Sequence, residues 1–267
     1  MHDRTLRCAQ GARRINTPFR MSPELYTHLL DRMNQEKSRL DSIAGDSWYA
    51  MGANGASVRY SALVFGRFFR AGSCLEMGPA EGLGTELLVK HFTDLTCVDG
   101  AESFCEALRA RYPHITVKQS LFEEFDPGRK FDNIVLGHVL EHVEDPRALL
   151  TSAKEWLTPT GRVLAAVPNA RSIHRQMAVE MGLLKHEHEL NATDVHHGHR
   201  RVYDPESYRQ DFLAAGLKIE VFGGYWIKPI SNKQIDEQWT PEMLRAAMVV
   251  GERYPDVAAE IYVVAGR

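Results

Sequence analysis

The sequence has no long apolar run and contains little cysteine. No stretch approaches the ~18 consecutive apolar residues with which a helix crosses a bilayer, so we expect no membrane-spanning segment. The four cysteines include no C-x-x-C pair, and three of them lie in apolar stretches. This usage argues against a disulfide framework or a zinc site and favours reduced cysteines in a cytoplasmic protein.

An excess of charge of one sign is also absent. The chain has 32 Lys and Arg against 35 Asp and Glu, a net charge of −3. A dedicated duplex-DNA-binding protein usually has a strong basic excess, so we do not expect nucleic acid as a partner. Hydrophobic residues make up 44% and charged residues 25%, which excludes a disordered or collagen-like chain.

Four helix starts share an N-cap residue followed by proline. Proline suits the first helical position because the N–H that it lacks needs no partner there. The four starts are Ser22-Pro23, Asp145-Pro146, Asp204-Pro205 and Thr240-Pro241. Apolar residues at helical spacing follow the first three, so helices are predicted at these places.

Short apolar runs between the helices predict seven strands. They are Cys74–Met77, Leu95–Val98, Ile115–Val117, Phe131–Leu136, Arg162–Val167, Leu217–Phe222 and Ile261–Ala265. Short buried strands that alternate with helices are typical of a parallel sheet covered by helices on both faces. The predicted fold class is therefore α/β.

The domain organisation follows from the same pattern. We expect an N-terminal arm and helical segment over residues 1–54 and one α/β domain over residues 55–267. Two insertions are predicted within this domain, at 169–204 after strand five and at 223–258 after strand six. The first should form a lid over a substrate pocket, and the second should close that pocket or provide a homodimer contact.

A glycine-rich turn joins the first strand to a helix within Cys74–Thr85. Gly78, Gly82 and Gly84 allow the backbone to approach a ligand, because no Cβ stands in the way. Asp99 ends the second strand, 21 residues after Gly78, where an acid can accept hydrogen bonds from both hydroxyls of an adenosine ribose. The two features fit either a dinucleotide or S-adenosylmethionine.

Three details favour S-adenosylmethionine over a dinucleotide. Glu76 stands inside the strand, two residues before Gly78. The glycine spacing is G-x-x-x-G-x-G, whereas dinucleotide sites have G-x-G-x-x-G. The fourth strand is followed by the run G-H-V-L-E-H-V-E-D-P over residues 137–146.

Over residues 70–222 the chain resembles the class I S-adenosylmethionine-dependent methyltransferases of the ubiquinone-biosynthesis-like small-molecule group. The segments that carry the resemblance are the glycine loop, Val98–Gly100, Phe131–Val135, Val139–His142 and Leu157–Val163. It implies a Rossmann-like seven-stranded sheet, S-adenosylmethionine as the cofactor, and methyl transfer to an oxygen, nitrogen or carbon of a small molecule. The family usually has glycine where Ala80 stands.

The resemblance also implies which residues bind the cofactor. The glycine loop would line its methionine part, Asp99 would hold the ribose, and Gly100 would lie against the adenine. The full set is Glu76, Gly78, Pro79, Ala80, Gly82, Asp99, Gly100, Leu121, Phe122, Gly137 and His138. Leu121 and Phe122 would flank the adenine from the other side, although Phe122 also fits a core aromatic.

The candidate catalytic residues are His138, His142 and His199. Methyl transfer needs an aligned nucleophile, and a base where that nucleophile must lose a proton. His138 and His142 are four residues apart, so a helical turn would place them on one face. His199 lies in the lid beside Arg200 and Arg201, which could pair with an anionic group on the acceptor.

Three alternatives remain open from the sequence. His138, Glu141, His142 and a lid histidine could form a metal site, as in the related small-RNA 2′-O-methyltransferases. Those enzymes have glutamate where His138 stands, so we expect no metal. The alternative functions are a metal-assisted RNA-end 2′-O-methyltransferase and an NAD(P)-binding oxidoreductase, and a binding module without activity would keep the same fold.

Overall fold

The computed structural model describes residues 23–47 and 50–267. The arginine-rich beginning of the chain, with Cys8 and Ser22, lies outside these residues. Residues 37–267 form one compact unit, and a separate unit ends at Glu36. The division that we predicted at residue 55 stays a prediction.

The described residues form ten helices, and the starts predicted at Asp145, Asp204 and Thr240 are confirmed, while α1 begins at Pro23 and its predicted cap, Ser22, lies outside these residues. The Asp145 side chain accepts a hydrogen bond from the Ala148 amide, and Asp204 accepts from the Ser207 amide, as N-caps do. The helices are α1 (Pro23–Gly45), α2 (Gly52–Phe65), α3 (Thr85–His91), α4 (Glu102–Arg111), α5 (Pro146–Trp156), α6 (Ile173–Glu180), α7 (Ala192–His196), α8 (Pro205–Ala214), α9 (Asn232–Gln238) and α10 (Pro241–Gly251). None of them is long and apolar enough to span a membrane.

All seven predicted strands are confirmed. They are β1 (Ser73–Met77), β2 (Asp94–Asp99), β3 (Thr116–Gln119), β4 (Phe131–Gly137), β5 (Leu157–Pro168), β6 (Lys218–Tyr225) and β7 (Glu260–Gly266). They form a single sheet in the order β3-β2-β1-β4-β5-β7-β6. The predicted Rossmann-like methyltransferase sheet is therefore present.

The expectation of an all-parallel sheet is wrong for one strand. β7 lies between β5 and β6 and runs antiparallel to both of them. β6 ends at the carboxyl edge of the sheet, and the second insertion returns the chain to that same edge. The chain must therefore run in the opposite direction when it enters β7.

Helices cover both faces of the sheet, as predicted. Along β1, Leu75 and Met77 belong to one apolar cluster and Cys74 to the other, because successive side chains of a strand point to opposite faces. The first cluster includes residues of α5 and α8. The second includes residues of α2, α3, α4, α9 and α10, so the second insertion is part of the core.

The helix α10 packs closely against the residues that follow β6. The Trp226 amide donates to the Met248 carbonyl over 3.2 Å, and the Ile227 amide donates to the Ala247 carbonyl over 2.9 Å. Gly251 permits this approach, because a Cβ there would lie 2.1 Å from the Trp226 nitrogen. The backbone of the second insertion is thereby fixed against the edge of the sheet.

We expect Gly251→Ala to lower the free energy of unfolding by about 1–3 kcal/mol or more, since backbone atoms must move to admit the methyl group. Urea-induced unfolding followed by circular dichroism measures this loss. Gly45→Ala is the matched control, because a Cβ at Gly45 would meet nothing within 4 Å. Equal stability of the two variants would contradict this packing.

Candidate active site

The glycine loop after β1 turns sharply at three of the predicted cofactor residues. Gly78, Ala80 and Gly82 have φ angles of +65°, +46° and +79°. Residues with a Cβ rarely adopt such angles, which explains why the family usually has glycine at the position of Ala80. The strained loop presents backbone atoms at the carboxyl edge of the sheet, where open α/β sheets bind ligands.

Asp99 connects the end of β2 to this loop. Its Oδ2 accepts from the Ala80 amide over 3.2 Å, and its Oδ1 accepts from the Ala101 amide over 2.9 Å. Burial raises the pKa of Asp99, while the amides of Ala101, Ala80 and Gly100 act against that shift. A carboxylate has about four acceptor positions, so capacity remains for ribose hydroxyls.

Glu76 lies beneath the loop and holds the start of α3. Its Oε2 accepts from Thr85 Oγ1 over 2.6 Å and from Cys97 Sγ over 3.4 Å. Burial raises the pKa of Glu76 to about 7, and these two hydrogen bonds act against the shift. Its contact with a cofactor stays a prediction, because the structure shows it positioning Thr85.

The residues that were predicted to flank the cofactor lie around the same loop. A Cβ on Gly78 would be 2.9 Å from Val139 Cγ2 and 3.5 Å from Phe122 Cζ. A Cβ on Gly100 would be 3.3 Å from Leu121 Cδ2. Glycine is therefore needed at both positions, and the cradle formed by this bare backbone and Asp99 fits an adenosine-containing cofactor.

The helix α1 contributes a contact that sequence reasoning missed. A Cβ on Gly100 would lie 2.4 Å from Leu40 Cδ1, so Leu40 covers this glycine. Arg39 Nη1 donates to the Gly198 carbonyl of the lid over 3.3 Å. Nothing in the sequence of α1 relates it to residues some 60 and 160 positions further along the chain.

His138 follows Gly137 at the end of β4 and is held among three side chains. Its Nε2 lies 3.2 Å from Tyr225 Oη, and its Nδ1 lies 3.6 Å from Glu141 Oε1 and 3.8 Å from Glu260 Oε2. Burial acts to lower the pKa of His138, but the adjacent Glu141 carboxylate and the charge of Glu260 raise it overall. Its φ of +59° is unusual for a residue with a side chain, and such strain is found at functional sites.

Tyr225 and Glu260 were not identified from the sequence. They stand opposite each other in the ladder between β6 and β7. Glu260 is the first residue of β7, and it reaches the carboxyl edge only because β7 is reversed. An acid directly before the apolar run Ile261–Ala265 is the signal that would have identified Glu260, had the direction of β7 been known.

Glu141, His142 and His199 form a second group beside His138. The rings of His142 and His199 are 4.7 Å apart, and His142 Nε2 lies 3.8 Å from Glu141 Oε1. Burial lowers the pKa of His142 to about 3. Burial acts to raise the pKa of Glu141, but the adjacent imidazoles, His138 first, lower it overall.

The lid holds His199 through a buried ion pair. His199 Nδ1 lies 3.4 Å from Asp194 Oδ1, and Asp194 Oδ2 lies 3.0 Å from Arg175 Nη1. Burial acts against ionisation of Asp194, but the adjacent His199 and the charge of Arg175 lower its pKa to about 2. The first insertion therefore brings His199 to the sheet edge in a defined position.

Three of the residues that were considered as metal ligands lie close together in the structure. One ligand atom each from Glu141, His142 and His199 lies within 4.8 Å of the other two. Nitrogen and oxygen donors of this kind suit several divalent metals. His138 is not a member of this group, so the cluster is smaller than the four-residue set considered from the sequence.

Arg200 and Arg201 bind the protein's own backbone. Arg200 Nε donates to the His142 carbonyl over 2.9 Å. Arg201 Nη1 donates to the Leu140 carbonyl over 2.9 Å, and its Nη2 donates to the Glu144 carbonyl over 3.0 Å. Both guanidinium groups thus hold the turn after β4, and the structure does not direct them toward an acceptor as we expected.

Comparison with known proteins agrees with this geometry. Residues 55–220 match the model of a methyltransferase domain. The chain belongs to this methyltransferase family. It is 27% identical over 122 residues to a probable S-adenosylmethionine-dependent methyltransferase of Mycolicibacterium smegmatis, covering 45% of this chain and 47% of that protein. The chain therefore spans about half the length of this relative.

Two further comparisons concern another relative and a solved structure. The chain is 26% identical over 182 residues to the ubiquinone biosynthesis O-methyltransferase of Rhodopseudomonas palustris, covering 65% and 70% of the two chains. The fold is similar to that of the N-methyltransferase NodS of Bradyrhizobium japonicum, with a TM-score of 0.55, 16% identity and coverage of 87% and 97%. The expected family and S-adenosylmethionine as its cofactor are confirmed, and neither alternative function is supported.

We expect Asp99→Ala to weaken S-adenosylmethionine binding at least about tenfold, since a hydrogen bond to a charged group contributes about 1.5–3 kcal/mol. Calorimetry measures the affinity, and thermal melting checks that the variant is folded. Asp94→Ala is the control, because Asp94 lies at the other end of β2 in an exposed ion pair with Arg129. Unchanged affinity in Asp99→Ala would remove Asp99 from the site.

We expect Gly78→Val to abolish cofactor binding. The branched side chain would enter the cradle at 2.9 Å from Val139 Cγ2 and would resist the left-handed backbone. Gly128→Val is the matched control, because Gly128 has a similar φ of +63° but open space around its Cβ position. Equal S-adenosylmethionine affinity in the two variants would show that the glycine loop is not part of the cofactor site.

Proposed function

We propose that the chain transfers a methyl group from S-adenosylmethionine to a small-molecule acceptor. The observation that carries the proposal is the meeting of the glycine loop, Asp99 and His138 at one edge of the sheet. S-adenosylmethionine supplies a methyl group that its sulfonium has already activated for displacement. The protein then needs to align the nucleophile, exclude water and, for some nucleophiles, remove a proton.

The cofactor-binding roles follow from the cradle. The backbone of Gly78, Ala80 and Gly82 lines the methionine part, and Asp99 accepts hydrogen bonds from the ribose hydroxyls. The remaining members of the set stay as predicted, with Leu121 and Phe122 beside the adenine and Gly137 beside the sulfonium. Glu76 supports this surface through Thr85.

His138 is the residue best placed to remove a proton from the acceptor. It follows Gly137 at the predicted position of the sulfonium, and two carboxylates stand within 4.0 Å of its Nδ1. Glu141 and Glu260 would stabilise the positive charge that the imidazole gains. Tyr225 Oη, 3.2 Å from Nε2, holds the ring in place and can exchange a proton with it.

His142 and His199 close the site from the lid side. Ion pairing of Asp194 with Arg175 keeps His199 against His142, which limits the access of water. His199 would touch the acceptor, and His142 would support it. The relatives' names include both an O-methyltransferase and an N-methyltransferase, so they leave the acceptor atom open.

The cytoplasmic location and the homodimer remain predictions. Cys74, Cys97 and Cys105 are buried free thiols, which supports the expected cytoplasmic location. A homodimer through the second insertion is an expectation for which sedimentation is the direct test. The net charge of −3 continues to argue against a nucleic-acid acceptor.

The test is transfer of labelled methyl from S-adenosylmethionine to the small-molecule fraction of a cell extract. We expect labelled small products with the wild type, and a loss of rate of about 100-fold to 10,000-fold in His138→Ala and His199→Ala. Cofactor affinity should change little in His199→Ala. His186→Ala, a change at a lid histidine that was not assigned to the site, is the control.

A chelator titration separates the base from the metal alternative. Activity that survives chelation but is lost in the histidine variants supports proton transfer or acceptor contact. Activity that a chelator removes and a divalent metal restores assigns Glu141, His142 and His199 to a metal instead. Full activity in both variants would show that these histidines have no role, and label found only in macromolecules would contradict a small-molecule acceptor.

A further inference from the structure

The second insertion contains a cation, Lys228, three residues after Tyr225, the tyrosine whose hydroxyl lies 3.2 Å from His138 Nε2. The Lys228 residue is 9% exposed, and its Nζ lies 4.8 Å from the centre of the Trp226 ring. Among the residues that the structure describes, no carboxylate lies within the 4.0 Å of an ion pair and no acceptor forms a hydrogen bond with this ammonium. An ammonium has three donors, and among the described residues none of them meets an acceptor of the chain. The donors of Lys228 are therefore available to an oxygen of a ligand.

The backbone that carries Lys228 is fixed. Trp226 has a φ of +72°, and its carbonyl accepts from the Ala259 amide over 2.7 Å. On its other side, α10 binds the amides of Trp226 and Ile227, as described above. A strained and fully bonded segment of this kind positions its side chains before a ligand arrives.

Charged residues of four elements, β7, α6, α7 and α9, interact electrostatically with Lys228. Burial lowers the pKa of Lys228 to about 8, while the charges of Glu260, Asp194 and Asp236 act against that shift and that of Arg175 reinforces it. Asp194 is already paired with Arg175. Glu260 is the neighbour shared with the active site, since it interacts with Lys228 and lies 3.8 Å from His138.

We propose that Lys228 binds a carboxylate of the methyl acceptor, whose nucleophile lies at His138. The inference rests on the proposed function and names the substrate class. An anionic oxygen would supply the hydrogen bonds that Lys228 lacks, and charge-assisted bonds of this kind are strong. Glu260, 3.8 Å from His138 and interacting with Lys228, suits an acceptor that carries a hydrogen-bond donor, such as a hydroxyl or an amine.

The other cations near the lid do not compete for this role. Arg175 pairs with Asp194 and donates to the carbonyls of Glu187 and Glu189. Arg200 and Arg201 hold the turn after β4. Among the described residues of this region, Lys228 is thus a largely buried cation with no carboxylate within 4.0 Å, whereas Lys185 of the lid is exposed.

The first experiment compares hydroxyl-substituted and amino-substituted benzoates with the corresponding benzamides as methyl acceptors. We expect the wild type to favour the acids about tenfold or more in kcat/KM, as a charge-assisted bond allows. Lys228→Met should remove this preference, and Lys228→Arg should keep much of it. Lys233→Met, a change at an 85% exposed lysine of the same insertion, should keep it fully. If Lys228→Met lowered kcat/KM equally for the acids and the amides, the proposal would be overturned.

A second measurement does not depend on methyl transfer. Acetic anhydride labels accessible amines, and mass spectrometry follows Lys228 and Lys233 separately in the wild-type protein. We expect benzoate, succinate or glutamate to slow the labelling of Lys228 but not of Lys233, while benzamide, succinamide and glutamine have no effect. Absence of protection by every acid would overturn the carboxylate site. Protection without any methyl transfer would keep the site and contradict the proposed function instead.

Discussion

The antiparallel pairing of β7 with β5 and β6 is the constraint on which the site depends. Strand reversal brings the first residue of β7, Glu260, to the edge where β4 and β6 end. His138 and Tyr225 are placed there by those two strands. The same reversal requires the chain between β6 and β7 to begin and end at this edge, so both ends of the second insertion lie beside His138.

Burial of charge explains how the groups at this edge work together. The pKa of Glu141 is lowered despite its burial, chiefly because His138 lies beside it. His138 in turn gains protons more readily because two carboxylates face its Nδ1. In a medium of low polarity these interactions are stronger than in water, so removing one member leaves an uncompensated charge. The cluster therefore responds as a unit to substitution.

The cofactor cradle uses some residues for structure and function together. Asp99 binds the glycine loop through the Ala80 amide, and it is also the residue proposed to hold the ribose. Glu76 acts beneath the loop through Thr85. A change at Asp99 or Glu76 would therefore affect the local fold as well as the proposed cofactor site. For this reason the affinity and the stability of such variants have to be measured together.

Local pattern alone determined much of this protein. Proline after an N-cap residue marked four helices, and apolar runs marked seven strands, because capping and burial act over a few neighbouring residues. The glycine loop and Asp99 were also predicted, since each follows directly from the end of its own strand. The reversal of β7, the contact of Leu40 with Gly100 and the arrangement of Glu260 with Lys228 were decided by tertiary structure. These contacts join residues far apart in the chain, and their side chains carry no local signal of the partner that folding brings to them.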